Sequence, residues 1–247
     1  MLYYYYLMNH MIEKNVIGNA IEGESYVGKT STIEAMKSVE SIREKGIIVV
    51  PEYTVMGSLP AFPREDISDI KKSIQRIIDL EKRRTDNLVG NLAKNPGDLV
   101  VFDRGPISCI AFEYAAQKTG YKGAALWLAE AFQREVEDKN IIVPNGFIHF
   151  TADKKIIRER EEIDLASGQG KVMDFLQDED VIKALNEAFV TFGDFLPEQL
   201  FLTLDTGNKD PNQVGAEVFQ FIKGQAEGVS NSMPDFIEYA RSLVAHK

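Results

Sequence analysis

The stretch "IEGESYVGKTST", residues 21–32, fits the pattern G-x-x-x-x-G-K-[ST] at every fixed position. An apolar run precedes it and helix-compatible sequence follows it, which is the context in which this pattern forms a phosphate-binding loop. In such a loop, backbone N–H groups surround phosphate oxygens and the helix N-terminus adds a partial positive charge. The sequence therefore predicts a nucleotide site. The residues expected to form it are Gly23, Glu24, Ser25, Tyr26, Val27, Gly28, Lys29, Thr30 and Ser31.

Two residues of this loop have definite expected roles. Lys29 would reach the β- and γ-phosphates, and the hydroxyl of Thr30 would hold Mg²⁺, so ATP and Mg²⁺ are the expected ligands. The alternative is a Gly-rich turn that fits the pattern by chance, which happens in about one random chain of this length in a hundred. The flanking strand and helix patterns favour the nucleotide site.

Five short apolar runs predict the strands of a parallel sheet, because patterns of helical character separate them. They are Val16–Ile21, Ile47–Val50, Leu99–Phe102, Phe147–Phe150 and Phe201–Leu204. The longest predicted helix runs from about Ile67 to Leu92, where apolar residues recur at steps of three and four. The expected fold is an α/β, three-layer P-loop NTPase fold with a five-stranded parallel sheet flanked by helices. Residues 1–15 are interpreted as an extension, 16–223 as the P-loop domain and 224–247 as a C-terminal helical tail.

Composition and charge narrow the class of protein. The chain has 247 residues, 44% of them apolar, and a net charge of −10, which argues against binding to a nucleic-acid backbone. Cys109 is the only cysteine, so neither a disulfide framework nor a zinc cluster is expected, and a cytoplasmic setting fits best. The first residues, "MLYYYYLMNHM", lack the features of a signal peptide and are too short to span a membrane. Translation could start at Met8 or Met11, or the tyrosines could form an edge strand or a contact surface.

Charged residues follow two of the predicted strands, at the sheet edge where ligands bind in open α/β folds. Asp103 and Arg104 follow the third run, and Glu52 follows the second. Asp103 could bind Mg²⁺ directly or through water, and Arg104 could clamp a phosphoryl oxygen. Glu52 could accept a proton from an attacking hydroxyl. Taken alone, these residues would be a surface ion pair and a solvated loop acid, so their interpretation depends on the phosphate loop.

Together, "IEGESYVGKT", "VVPEY" and "DRGPISCIAFEYA" resemble the thymidylate kinase and deoxynucleoside kinase group of P-loop proteins in order and spacing. The resemblance continues through "GFIHFTADKKIIREREE", the group's fourth strand and Arg-bearing lid, and covers roughly residues 16–206. It implies that Glu52 is the catalytic base and that Asp103 and Arg104 are the acid–Arg pair.

The resemblance also implies roles for two later segments. Gln75 and Arg83, or Arg84 in place of Arg83, would lie on the helix that reads the acceptor's base and 5′ end. Arg158 and Arg160 would be the lid arginines that neutralise the transferring phosphoryl group. However, the segment "RERE" interleaves acids, so these two arginines could instead pair on the helix surface with Glu161, Glu162 or Asp164.

The nature of the acceptor depends on the residue before Glu52. Thymidylate kinases usually carry Arg-Glu-Pro after the second strand, whereas this chain has Pro51-Glu52-Tyr53. Loss of that arginine favours a (deoxy)nucleoside 5′-hydroxyl over an acceptor that already carries phosphate. Arg64, Arg83 or Arg84 could still supply a cation to a nucleoside monophosphate. Met56, Leu59 and Phe62 could wall a base pocket or belong to the core.

Three other possibilities remain open. The acceptor could be another small alcohol, because the acceptor pocket is the variable part of such folds. The chain could instead be a non-catalytic nucleotide switch, although it lacks the Asn-Lys-x-Asp motif that reads guanine. The sequence also leaves open whether the chain forms a homodimer.

Overall fold

An all-parallel sheet of five strands forms the centre of the structure, a computed structural model that describes residues 18–38, 46–59, 64, 66–96, 98–167, 174–225 and 235–245. Its strand order is β2-β3-β1-β4-β5. The strands are β1 (Asn19–Glu22), β2 (Ile47–Val50), β3 (Leu99–Asp103), β4 (Gly146–Thr151) and β5 (Phe201–Asp205). All five predicted strands are confirmed, with β1 at the centre. Residues 16 and 17 of the first apolar run lie outside the described residues, as does the tyrosine-rich N-terminus.

Helices cover both faces of this sheet and complete the three layers that the apolar runs predicted. Within the described ranges they are α1 (Lys29–Met36), α2 (Tyr53–Met56), α3 (Ile67–Leu92), α4 (Pro106–Lys118), α5 (Ala125–Glu137), α6 (Lys154–Ala166), α7 (Glu179–Asp194), α8 (Pro211–Gln225) and α9 (Phe236–Ala245). One apolar core joins the sheet to α3, α4, α5, α7 and α9. A second, smaller core joins the opposite face to α1 and α8. None of the described helices combines the length and apolarity that a membrane span requires.

Helix α3 has the bounds that its apolar spacing predicted. Asp66 caps its N-terminus by accepting a hydrogen bond from the backbone N–H of Asp69 at 2.9 Å. Its buried positions include Ile70, Ile77 and Leu88, which return to one face at helical spacing. The helix lies against β2 and α2.

The last helix, α9, belongs to the main core. Phe236, Tyr239 and Leu243 are buried against α4, α5 and α7, and the hydroxyl of Tyr239 donates to the carbonyl oxygen of Ala188 at 3.0 Å. The predicted helix in the C-terminal tail is therefore present. The domain boundary at residue 223 stays a prediction.

Candidate active site at the carboxyl edge of the sheet

The phosphate loop joins β1 to α1, and its backbone adopts conformations that the sequence pattern requires. Gly23 has φ +132°, and a Cβ at that position would lie 2.6 Å from the carbonyl oxygen of Phe150. Gly28 has φ +100° and is the N-cap of α1. Because glycine adopts these angles without steric cost, both fixed glycines have a structural reason. Tyr26, between them, is a non-glycine residue with φ +60°.

Lys29 begins α1 and turns its ammonium group back into the loop. Its Nζ donates to the carbonyl oxygens of Gly23, at 3.2 Å, and Glu24, at 2.7 Å. Burial, together with repulsion from Arg104, lowers the pKa of Lys29 to about 7. Thr30 and Ser31, by contrast, are exposed and line the cleft above the loop. The loop thus holds its cation inside and presents hydroxyl groups outside.

Glu52 and Arg104 form an ion pair where β2 and β3 end. The Nε of Arg104 lies 2.7 Å from Oε1 of Glu52, and its Nη1 donates to the carbonyl oxygen of Gly23 at 2.7 Å. Burial would raise the pKa of Glu52, but the positive charges of Arg104 and Lys29 outweigh it and lower that pKa below its usual value. Glu52 is therefore ionised at neutral pH and stands beside the phosphate loop, as the sequence predicted.

Asp103, the last residue of β3, has an oxygen suited to a cation. Its Oδ1 is buried and has no hydrogen-bond partner. Burial raises the pKa of Asp103, and the charge of Lys29 opposes that rise. The described residues contain no group of three or more His, Cys, Asp or Glu side chains that could hold a metal by themselves. A metal here would therefore need ligands from a nucleotide as well as from Asp103 and Thr30.

The two predicted lid arginines face different ways along α6. Arg160 is half-buried, and its guanidinium donates to the carbonyl oxygens of Thr206, at 2.9 Å, and Tyr26, at 3.4 Å. Arg158 is exposed and pairs with Glu179 of α7 at 3.2 Å. Only Arg160 therefore contacts the phosphate loop. The surface pairing that the acidic neighbours suggested is found for Arg158, but with a residue outside the "RERE" segment.

The predicted substrate residues on α3 lie away from the loop. Among the described residues of α3, Ile77 faces the interior beside the loop, whereas Gln75 and Arg83 are exposed and Gln75 donates to Asp79 at 2.8 Å. Two positions along a helix correspond to about 200° of rotation, so Gln75 cannot share the face of Ile77. The structure thus brings neither Gln75 nor Arg83 to the site.

Arg84, the alternative to Arg83, is fully buried but serves the backbone. It pairs with Glu81 at 2.7 Å, stacks on the ring of Tyr53, and donates to the carbonyl oxygens of Asp103 and Arg104. Its guanidinium therefore supports the loop after β3 from within the core.

Two cavities meet at Glu52 and Arg104. The first, which we call the phosphate-loop cleft, measures about 760 Å³ and lies between the loop, Arg160 and the segment after β5. The second, the inner cavity, measures about 160 Å³ and lies between α2, α3, α4 and α7. The residues that line both are Ser25, Glu52, Thr54, Arg104 and Leu176.

The inner cavity contains Leu59 and Arg64, which the sequence analysis named for the acceptor side, together with residues that the sequence patterns did not indicate. Its walls are mainly apolar and aromatic, formed by Tyr53, Leu59, Ile77, Cys109, Phe112, Leu185 and Phe189. Besides Glu52 and Arg104, it contains a second, buried ion pair, in which both Nη atoms of Arg64 donate to the carboxylate of Glu113. The pair spans 49 positions of the chain, so no local spacing could reveal it. Phe62 lies outside the described residues.

Comparison with known proteins agrees with this architecture. No protein-family model matches the chain, and no curated protein sequence matches it. Among solved structures, the chain is similar to thymidylate kinase from Candida albicans, with a TM-score of 0.52 and 16% identity, over 86% of this chain and 93% of that chain. The resemblance to thymidylate kinase-like P-loop kinases is thereby confirmed at the level of the fold.

Proposed function

We propose that this chain is an ATP-dependent phosphotransferase whose acceptor is a nucleoside or a nucleoside monophosphate. The observation that carries the proposal is the meeting of the phosphate-loop cleft and the inner cavity at Glu52 and Arg104. A transferase needs two sites that touch at the reacting atoms, whereas a nucleotide switch needs only one. The mainly apolar and aromatic walls of the inner cavity suit a planar base.

On the donor side, the loop amides, Lys29 and Arg160 would bind the phosphates of ATP. Lys29 would leave the carbonyl oxygens of Gly23 and Glu24 to contact the β- and γ-phosphates. Thr30 and Asp103 are suited to hold Mg²⁺, which when bound would neutralise charge on the phosphate oxygens. Arg160 already touches the loop and needs little movement to reach a phosphate.

At the junction, Glu52 and Arg104 would act on the reacting groups. A hydroxyl acceptor would attack the γ-phosphorus, the bond to the β–γ bridging oxygen would break, and the hydroxyl proton would pass to Glu52. Glu52 suits this role because its lowered pKa keeps it ionised. Arg104 would stabilise the charge on the transferring group.

A nucleoside monophosphate is the first candidate for the acceptor. The fold neighbour is a thymidylate kinase, described as having broad substrate specificity, and thymidylate carries a phosphate. Arg104 could bind that phosphate if its pairing with Glu52 opened.

A nucleoside is the second candidate, favoured by the environment of Glu52. The residue before Glu52 is Pro51, which offers no cation to an acceptor phosphate. Moreover, the two arginines that line the inner cavity, among the described residues, both face carboxylates: Arg64 faces Glu113, and Arg104 faces Glu52.

A panel of acceptors tests the proposal. ATP turnover should be measured with nucleosides, with nucleoside monophosphates and with unrelated small alcohols, each with Mg²⁺. We expect turnover that depends on a base-bearing acceptor, and a phosphorylated product. Turnover without any acceptor, or with small alcohols alone, would contradict the proposed acceptor class.

We also propose a cytoplasmic setting. Cys109, the only cysteine of the chain, is a half-buried free thiol, which is typical of proteins in a reducing compartment.

A further inference from the structure

The last residue of β1, Glu22, is a buried acid that stands just before the phosphate loop. Its exposure is 1%. One carboxylate oxygen, Oε1, accepts a hydrogen bond from the backbone N–H of Gly105 at 2.7 Å, and the other, Oε2, accepts from the hydroxyl of Ser108. Burying a carboxylate is costly unless hydrogen bonds compensate for lost water, and burial accordingly raises the pKa of Glu22 to about 7. A residue kept at this position despite that cost needs a structural reason.

The contacts of Glu22 hold the turn that carries Arg104. Arg104 has φ +64°, an angle that non-glycine residues adopt only when their surroundings hold them there. Its own N–H donates to the carbonyl oxygen of Ile21 at 3.2 Å, and the next N–H, that of Gly105, donates to Glu22. The carbonyl oxygen of Arg104 accepts from the buried Arg84. The turn is thus fixed from β1 on one side and from α3 on the other.

This turn decides where the guanidinium of Arg104 lies. From it, the side chain reaches Glu52 and the carbonyl oxygen of Gly23, both at 2.7 Å. If Arg104 relaxed to an ordinary backbone angle, the side chain would leave the point where the two cavities meet. Ser108, which also donates to Glu22, lies 3.5 Å from Nη1 of Arg104 and therefore joins the carboxylate to the guanidinium.

We propose that Glu22 is a positioning residue for phosphoryl transfer, acting through Gly105 and Ser108 to hold Arg104 at the transfer point. The inference rests on the proposed function, because Arg104 matters only if transfer occurs there. The role depends on the reach and the hydrogen bonds of the side chain rather than on its charge. A carboxyl group in either protonation state can accept the bond from Gly105.

Two substitutions distinguish the effect of the length of the Glu22 side chain from the effect of its charge. Glu22→Gln keeps the length of the side chain and an acceptor for Gly105, but removes the charge. Glu22→Asp keeps the charge but is one methylene shorter, so it cannot reach Gly105 and Ser108 together. We expect Glu22→Gln to retain kcat close to that of the wild type, and Glu22→Asp to lower kcat by about 10²-fold, the scale of a small misplacement at a reacting centre. KM for ATP should change little in both.

A second readout is independent of activity. Hydrogen exchange at the Gly105 amide should stay slow in Glu22→Gln and become fast in Glu22→Asp. As a control for lost stability, Thr85→Val removes the hydroxyl that accepts from the Ile142 N–H at 3.0 Å, another buried backbone bond outside the site. This variant should lose stability to a similar extent and keep its kcat.

The outcomes are distinct. Equal activity of the Gln and Asp variants, or greater activity of the Asp variant, would overturn the positioning role. Loss of Gly105 protection with unchanged kcat would also overturn it. A wild-type protein that transfers phosphoryl to none of the acceptors would overturn the proposed function itself, and this is seen before any variant is made.

Discussion

The two cavities that meet at Glu52 and Arg104 are built in opposite ways. The phosphate-loop cleft takes most of its polar groups from one continuous stretch, residues 25–32, together with Arg160 and Thr206. The inner cavity takes its walls from four helices, the segments between them and the first residues of the phosphate loop, with residues as far apart as Gly23 and Phe189. A bound phosphate is recognised by backbone N–H groups that a short motif can arrange, whereas a base needs a shaped apolar enclosure. The residues that would bind the phosphate donor can therefore be identified from a sequence motif, whereas most of those that would enclose the acceptor cannot.

Replacing Lys29 tests the donor side and should have the largest effect. Lys29→Ala removes the cation expected on the transferring phosphoryl, and we expect kcat to fall by about 10³–10⁵-fold, the scale for one such cation. The fold should persist, since Lys29 carries a buried charge that does not favour packing. Acceptor-dependent ATP turnover measures the change in kcat, and thermal unfolding measures whether the fold persists. Lys37→Ala, which removes an exposed lysine just after α1, is the matched control. Unchanged turnover in Lys29→Ala would refute the donor site.

Replacing Glu52 tests the junction. With a nucleoside acceptor, Glu52→Gln should lower kcat by about 10²–10⁴-fold, because the acceptor hydroxyl loses its base. With a nucleoside monophosphate the decrease should be smaller, because the attacking phosphate oxygen is already ionised and Arg104 is released to bind it. Steady-state rates with both acceptors give the comparison.

Two control variants accompany Glu52→Gln. Glu34→Gln changes an exposed acid on α1, and Arg83→Ala changes an exposed cation on α3. Neither should alter turnover. Full activity of Glu52→Gln on every accepted substrate would show that the base assignment is wrong, and a large effect of Arg83→Ala would show that α3 presents a different face during turnover.

The third prediction concerns the buried His149 of β4, whose ring lies behind the inner cavity. Its Nε2 lies 3.3 Å from Oδ1 of Asn186, and its ring packs on Phe189, which lines the inner cavity. Burial lowers the pKa of His149 to about 4, whereas a histidine in the unfolded chain titrates near 6.5. The unfolded state therefore binds the proton first, so stability should be full above pH 6.5 and decrease as the pH falls toward 4.

The variant His149→Gln should remove that part of the acid-dependent loss, which amounts to about 3 kcal/mol in the free energy of unfolding. Urea unfolding between pH 4 and pH 8 measures it. Parallel pH profiles for the wild type and the variant would contradict burial of a neutral imidazole.

The smallest expected effect separates the two arginines of α6. Arg160→Ala should lower kcat/KM for ATP by about tenfold, the scale of one charge-assisted hydrogen bond, because Arg160 contacts the phosphate loop. Arg158→Ala, its matched control, should change little, because Arg158 pairs with Glu179 at an exposed position. The reverse order of effects would mean that α6 rotates when ATP binds.

Local patterns predicted the elements of the fold well. The bounds of α3 and β2 follow from apolar spacing, and the loop after β1 follows from its glycines. The patterns did not predict which way each polar side chain of α3 points. Arg83 and Arg84 are neighbours in the sequence, yet Arg83 is exposed to solvent and Arg84 lies under the turn at Arg104. Gln75 likewise lies on the exposed face of α3, whereas its expected role was carried over by approximate position along the helix rather than by face.

Other features of the site come from distant parts of the chain. The Arg64–Glu113 pair and the contact of Thr206 with the carbonyl oxygen of Val27, at 2.6 Å, join residues that are 49 and 179 positions apart. Glu22 could have been noticed as an acid at the end of a buried strand. Its partner, the N–H of Gly105, is a backbone group, so the sequence of side chains could not predict this hydrogen bond.

The five residues that line both cavities constrain how such a protein could change its acceptor during evolution. A mutation at Thr54 or Leu176 would alter the acceptor's surroundings and the approach of ATP at once, so it would rarely be neutral for turnover. Substitutions at Leu59, Ile77 or Leu185 touch the inner cavity without lining the phosphate-loop cleft. We therefore expect mutations that change the preferred acceptor to occur first at Leu59, Ile77 and Leu185. Laboratory selection for a new acceptor should yield its first successful variants at the same positions.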